Sequence, residues 1–227
     1  MLISIRSPKT PAADVAVFGG RGGGALVAFT LSRLNEVGAW CRGFLNDVEP
    51  AGSLVGGVPV LGPFASWRDL PASVTFVAPL HKAKEMVRRA QLIRDLHIPA
   101  ERWATVIDPS VVMADDAKVG VGGFLAPGAT IMPGSSIGDH VSVRHGAHLG
   151  HDSSLGDFVM LGVNAVVCGY VTVKEGAHIA PSAVVIDRIT IGRYSVVGLG
   201  AVVVTDVPDG AIVLGNPAGI VGSIGVA

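Results

Sequence analysis

From Ile107 to Val203 a large aliphatic residue recurs every sixth position. The series reads Ile107, Met113, Val119, Leu125, Ile131, Ile137, Val143, Leu149, Leu155, Leu161, Val167, Val173, Ile179, Val185, Ile191, Val197, Val203, without a slip of register. Four places after each stands a small or β-branched residue: Ala117, Gly123, Ala129, Ser135, Val141, Ala147, Ser153 and onward to Val207. The place just after the aliphatic one is often glycine, as at Gly120, Gly138, Gly150, Gly156, Gly162, Gly192 and Gly198. A period of six matches neither the 3.6 of a helix nor the alternation of a flat strand. It matches a parallel β-helix in which each hexad gives one short strand and one corner. Three hexads close a triangular coil of about 18 residues, and coils stacked as a solenoid bury one another's faces.

The pattern before the solenoid is different. A short apolar strand, Asp14 to Phe18, runs into the glycine run Gly19-Gly20-Arg21-Gly22-Gly23-Gly24. A helical stretch from Ala25 to about Val37 and a second strand, Trp40 to Leu45, follow. Strand, glycine-rich turn, helix, strand is the opening of a Rossmann-like βαβ unit, whose turn offers free N–H groups to phosphate. A tight turn without ligand is the other reading of the same residues. Asp47 ends the second strand, where a carboxylate can accept from a ribose or base or simply cap a loop. Val74 to Ala78 reads as a further buried parallel strand. His81 to Leu96 reads as an amphipathic helix with Met86, Val87, Leu92, Ile93 and Leu96 on one side. His81 and Lys82 stand at a strand's C-terminal end, where open α/β sheets bind ligands. The predicted organisation is an α/β Rossmann-like domain over 1–104, with 1–13 a loose extension. An all-β left-handed parallel β-helix covers 105–208 and a tail covers 209–227.

Composition fits this division. Hydrophobic residues make up 49% of the 227 residues and aromatics only 5%, which suits a core of stacked Val, Ile, Leu and Ala. A net charge of −1 implies neither nucleic acid nor an anionic membrane as partner. The two cysteines, Cys41 and Cys168, make no disulfide framework or zinc motif, and a reducing cytoplasm is the expected setting. No apolar run is long enough to span a bilayer.

Candidate chemistry sits on the solenoid, where His145, His148 and His151 cluster in sequence and Asp152 follows. A histidine takes and gives protons near neutrality, and an adjacent carboxylate can fix its tautomer. His151 occupies a corner, and the residue one coil on is Gly169, so the position stacked beside it is bare. A glycine there admits a ligand close to the backbone, and its N–H can meet an oxyanion. Ordinary surface histidines are the other reading. The zinc signature of β-helix carbonic anhydrases, Gly-His with a second His five residues on, is broken here by Gly156, so no metal is expected.

These segments together resemble the bacterial sugar acyltransferases of the hexapeptide superfamily. They are most similar to N-acetyltransferases of nucleotide-linked 4-amino sugars, of bacillosamine and perosamine type, and to sialic acid O-acetyltransferases. The resemblance rests on VFGGRGGG, GFLND, GGVPVLG, ATVIDPSVVM, HDSSLGDF and the closing GNPA. It implies a homotrimer that binds acetyl-CoA between subunits and a nucleotide-sugar in the first domain. His151 would be the general base, Asp152 its partner, and the Gly169 N–H the oxyanion donor. Gly19, Gly20, Arg21, Gly22, Asp47, His81 and Lys82 would hold the nucleotide-sugar. Met160, Gly169, Ala180, Gly198, Gly200, Gly215, Asn216 and Pro217 would face coenzyme A. The chain departs from the family's pattern at Met160 and Gly23, each in place of a histidine, and at Arg144, in place of an asparagine. O-acetylation of a sugar, and a scaffold that binds nucleotide-sugar without catalysis, are the alternative functions.

Overall fold

The structure, a computed structural model, describes residues 2–3, 13–34 and 38–225. Apart from Leu2–Ile3 and Ala13, the extension expected over 1–13 lies outside the described residues. Strand β1 (Leu2–Ile3) pairs in parallel with Thr105 and Val106. The N-terminal unit contains β2 (Ala13–Phe18), α1 (Gly23–Arg33), β3 (Ala39–Leu45), β4 (Leu54–Val55), β5 (Val58–Gly62), β6 (Thr75–Val77) and α2 (Met86–Asp95). Its sheet has the order β4-β5-β3-β2-β6, with β5, β3, β2 and β6 parallel and β4 antiparallel. Two boundaries differ from expectation. Helix α1 begins two residues early, and positions 35–37 of the expected stretch fall outside the described residues. Helix α2 begins at Met86, five residues later than the amphipathic pattern suggested. Its buried face is Met86, Ala90 and Ile93, while Leu92 is exposed.

The rest of the chain is the coil. Two-residue strands follow one another every six residues from Val112–Met113 to Val202–Val203, and each pairs in parallel with the strand 18 residues away. They form three stacked sheets. A nine-stranded docking face includes Phe124, Ser142, Met160 and His178 and packs against the N-terminal unit. An aliphatic face carries Val112, Thr130, His148, Val166, Val184 and Val202. A hydroxyl face carries Lys118, Ser136, Ser154, Thr172 and Thr190. The period-six aliphatics and their small partners fill the interior as one continuous core. No helix among the described residues is long and apolar enough to cross a membrane.

The corners have a period of their own. Backbone in the left-handed region recurs every six residues at 122, 128, 134, 140, 146, 152, 158, 164, 170, 176, 182, 188, 194 and 200. Only six of these are glycine. The others include His140, Asp152, Asn164 and Tyr170, residues each held at a cost of about 1 kcal/mol by the pairing on both sides. The glycines just after the aliphatic residue have another purpose. A Cβ at Gly150 would lie 2.4 Å from the Cys168 carbonyl carbon, and one at Gly162 would lie 2.5 Å from the Pro181 nitrogen. They are small because the next coil's backbone passes against them.

After Pro208 the repeat shortens. Val196 pairs with Ile212, 16 residues on rather than 18, and Ala211–Leu214 extends the docking face. Gly219–Ser223 then turns back antiparallel on it. The turn between them closes the aliphatic face: Val202 N–H donates to the Gly215 carbonyl, and Ala218 N–H donates to the Val202 carbonyl.

The N-terminal unit meets the docking face through an aromatic and polar seam. Phe18, Phe76, Trp103 and Phe158 share one buried cluster, and Val106, Phe124 and Ala126 share another with Val27, Leu31 and Phe44. Asp108 is fully buried and paired with Arg33 Nε at 3.0 Å. Arg94 reaches across to Glu175 at 2.5 Å. In the same seam lie His81, His140, His178 and Arg144. Both ring nitrogens of His81 are sealed from water, the ring lying against the His140 backbone, and Nδ1 of His140 and of His178 is buried without a hydrogen-bond partner. Burial, and next the Arg144 charge, lower His81 to about 3 and His178 to about 4. Burial lowers His140 to about 4 against the opposing pull of Asp139.

These three imidazoles are neutral in the fold at neutral pH, and acid must charge them. The unfolded chain protonates each near 6.5 and the fold only near 3 to 4, so between those values the unfolded state holds more protons. Their contribution to stability is complete above about pH 6.5 and falls as the pH drops toward 4. Denaturant unfolding across this range should therefore show stability falling with acid. His178→Gln should reduce the steepest slope by about 1.4 kcal/mol per pH unit; an unchanged slope would contradict this account. Gly162→Ala, which drives a methyl into the neighbouring coil, should cost about 1–3 kcal/mol in the same measurement.

Candidate active site

His151 and Asp152 stand at the corner that joins the aliphatic and hydroxyl faces. The aliphatic Leu149 points in, Gly150 lets the next coil close up, and the chain then turns outward through His151. Asp152 takes the left-handed corner conformation at φ 54°. Its N–H donates to the Pro133 carbonyl at 2.9 Å, one coil earlier. Its side chain lies over Gly134, where a Cβ would come within 2.4 Å of Oδ1. The carboxylate is thereby directed back along the corner, and Oδ2 meets His151 Nδ1 at 2.9 Å. Ser153, fully buried, fixes the corner from inside: its hydroxyl donates to the Cys168 carbonyl and accepts from Val171 N–H.

The pair is open to solvent, with side chains 55% and 49% exposed. With Nδ1–H donating to the carboxylate, Nε2 carries the free lone pair. Gly169 lies directly against that nitrogen, since a Cβ there would sit 2.7 Å from Nε2. Its own N–H has no acceptor among the described residues. On the ring's other approach Tyr170 packs edge to face at 5.0 Å between centroids. Arg188 lies over Tyr170 in turn, 4.4 Å from its centroid. The arrangement is a base with a fixed tautomer, an open Nε2 and a bare backbone amide beside it.

The three histidines that cluster in sequence do not cluster in space. His145 is at the corner between the docking and aliphatic faces. His148 is on the aliphatic face, where Nδ1 and Thr130 Oγ1 are 2.7 Å apart. His151 is at the far corner. The hexad separates residues that are three apart onto different parts of the coil. Among the described residues, no group of three or more His, Cys, Asp or Glu could hold a metal ion.

The other expected site residues fall in two further places. Met160 lies in the docking face between Ser142 and His178. Ala180, Gly198 and Gly200 lie at the corner between the docking and aliphatic faces, next to the exposed turn Gly215, Asn216, Pro217, which contains a cis peptide bond before the proline. Within one chain this corner and the His151 corner are on opposite sides of the aliphatic face. In the N-terminal unit, Gly19 and Gly22 have positive φ, and Gly20 packs against Asn46. Arg21 pairs with Glu49 at 3.0 Å. Asp47 Oδ1 accepts from Phe64 N–H at 2.7 Å, a loop-capping bond. His81 and Lys82 part: Lys82 is exposed and paired with Glu85, while the His81 ring enters the seam.

Arg144 is the residue whose setting sequence reasoning missed, although the coil gives a signal for it. Stepping by 18 along the docking face, the place after the inward aliphatic reads Asp108, Ala126, Arg144, Gly162, Ala180, Gly198. Two charged residues interrupt a row of small ones, and both are buried.

No protein-family model matches the chain. Among curated proteins, it is 27% identical over 128 residues to the bifunctional protein GlmU of Heliobacterium modesticaldum, covering 47% of this chain and 28% of that one. It is 37% identical over 84 residues to the acyl-[acyl-carrier-protein]–UDP-N-acetylglucosamine O-acyltransferase of Pseudomonas aeruginosa, covering 37% and 33%. The chain thus spans about a third of the length of the curated relatives it matches. Solved structures match far more of it. A point mutant of perosamine N-acetyltransferase from Caulobacter crescentus, in complex with CoA and GDP-perosamine, superposes with a TM-score of 0.79 at 29% identity, covering 93% of this chain and 98% of that one. The acetyltransferase domain of PglB from Neisseria gonorrhoeae, in complex with acetyl coenzyme A, gives 0.80 at 27%, covering 93% and 100%. Over nearly its whole length the chain is therefore similar to hexapeptide-repeat sugar N-acetyltransferases of the perosamine and PglB type, the family its motifs resemble.

Proposed function

We propose that this chain is an acetyl-CoA-dependent N-acetyltransferase acting on the amine of a nucleotide-activated amino sugar, a UDP- or GDP-linked 4-amino-deoxy sugar. The observation that carries the reading is His151 bound to Asp152 through Nδ1, with Nε2 open above the bare backbone of Gly169. In this reading Nε2 removes the proton from the attacking sugar nitrogen and returns it to the departing CoA thiolate. Asp152 holds the tautomer and stabilises the imidazolium in between. The Gly169 N–H donates to the carbonyl oxygen as it gains charge. Transfer is direct: Cys168, the thiol nearest in sequence, has its pKa raised by burial and by Asp187, which disfavours a thiolate nucleophile.

The rest of the assignment follows the same reading. The left-handed coil carries the base, and the Rossmann-like unit holds the nucleotide-sugar at Gly19 to Gly22 and Asp47. Acetyl-CoA lies along Ala180, Gly198, Gly200 and the 215–217 turn. That corner and the His151 corner flank the aliphatic face, so two copies must bring them together, and the homotrimer of the resemblance would do so. The face between them supports it: Val112 is 60% exposed, with Val163 at 41% and Leu199 at 74% on its flank. Exposed aliphatic side chains grouped on one face call for a partner. A soluble protein working in the cytoplasm completes the proposal.

The test is release of free CoA from acetyl-CoA in the presence of GDP- or UDP-linked 4-amino sugars, beside their 4-hydroxy counterparts. Turnover on the hydroxyl sugars alone would instead favour O-acetylation; the Pseudomonas relative is named as an O-acyltransferase that uses acyl-carrier protein. His151→Ala should lower kcat by about 10²–10⁴ with the fold intact, and wild-type turnover in that variant would remove His151 from the mechanism. Gly169→Ala, which places a methyl against Nε2, should reduce kcat at least about tenfold without altering the thermal midpoint by more than a few degrees. Sedimentation should give a trimer, and Val184→Glu on the aliphatic face should dissociate it and abolish turnover together.

A further inference from the structure

We propose that Arg144 and the N-terminal turn of α1 form an anion subsite at the junction of the two units, which takes an oxyanion carried by the acceptor substrate. This deepens the function proposed above and rests on it for the identity of the acceptor. The anion is either the diphosphate that links nucleotide to sugar or a carboxylate on the sugar itself.

Three observations converge. The first is an uncompensated charge. Arg144 is only 6% exposed, and Nε and Nη1 are buried with no hydrogen-bond partner. No carboxylate pairs with it among the described residues, whereas Asp108, two coils earlier in the same stack, is matched by Arg33. The guanidinium carbon lies 5.7 Å from the Phe124 ring centroid, a contact that leaves the Nε and Nη1 donors unfilled. A buried guanidinium without an acceptor is costly, and a site that retains one is built for a ligand that supplies it.

The second is where it points. A Cβ on Gly23, the first residue of α1, would lie 3.3 Å from Arg144 Nη2 and 2.5 Å from the Pro79 carbonyl oxygen. The guanidinium therefore sits against the first turn of an 11-residue helix. That turn has no side-chain cap from Gly22 and no acidic residue. Its free N–H groups and the positive end of the helix dipole are at the same end of α1 as the arginine.

The third is the company it keeps. His81 and His178, close enough for the Arg144 charge to lower their pKa values, are neutral, and His178 Nδ1 is buried without a partner while His81 packs against the His140 backbone. Each neutral imidazole can donate one N–H. Guanidinium, imidazole and helix amides thus supply donors around one cation, with no acceptor of negative charge in the protein.

Direct binding tests this without reference to turnover. Sodium pyrophosphate, GDP, UDP and glucuronate should be titrated calorimetrically into the wild-type protein, Arg144→Met and Arg144→Lys. Wild type should bind pyrophosphate and the nucleoside diphosphates if the diphosphate is the anion, or glucuronate if a sugar carboxylate is. Arg144→Met should weaken that binding by about 10- to 100-fold, the loss expected for a charged hydrogen-bonding partner. Arg144→Lys, which keeps the charge but not the fork, should fall between. Without any anion, Arg144→Met should melt at or above the wild-type temperature, since it removes a buried lone charge. The subsite is overturned if wild type binds none of the four probes, or if both variants fold and bind as tightly as wild type. Acetyl-CoA binding measured in parallel separates this from the transfer reaction. Anion binding lost in Arg144→Met with acetyl-CoA binding kept supports the subsite, and anion binding kept in a protein that transfers no acetyl group supports it while removing the proposed activity.

Discussion

Everything in the coil depends on the parallel ladder in which each residue hydrogen-bonds to the chain 18 positions away. Gly150 N–H donates to the Val167 carbonyl, Cys168 N–H to Val185, and the same step recurs along the coil until it shortens at the C-terminal end. The ladder fixes what stands above and below every side chain. It therefore decides which glycines must be glycine, which corners must be left-handed, and which pairs of side chains can meet. The catalytic candidates are a direct product of it. Asp152 is aimed by the space above Gly134, and His151 stands free because the coil above offers it Gly169.

This is why the coil and its corner site were largely legible in the sequence. A side chain's environment is read by adding or subtracting 18, so the bareness beside His151 follows from the identity of residue 169. The same arithmetic separates His145, His148 and His151, which sequence proximity had grouped. The role of the recurrent glycines was not legible. Those after the aliphatic residue avoid a clash, whereas the left-handed corners come two places later and are mostly held by other residues. Glycine content alone does not distinguish a residue that is small from one that is twisted.

The junction was the least readable part, because it joins a periodic body to an aperiodic one. Residues 81–85 precede α2 as a turn rather than as its first coil, and the change directs His81 inward while Lys82 stays in water. His81, His140, His178 and Arg144 come from segments up to 97 residues apart, which no local pattern relates. The seam they share breaks the rule that buried polar groups are satisfied. Such breaches are where a fold gives up stability for a task.

A stack of parallel rungs has open ends, and each end presents unpaired amides and carbonyls that a second solenoid could extend. The C-terminal segment removes one of those ends. The shortened step to Ile212 and the reversed strand Gly219–Ser223 bring in a rung of opposite direction. Meanwhile the Gly215–Ala218 turn occupies both backbone groups of Val202 on the neighbouring face. The GNPA sequence is in this respect a full stop: it keeps a self-templating architecture from being extended lengthwise at this end.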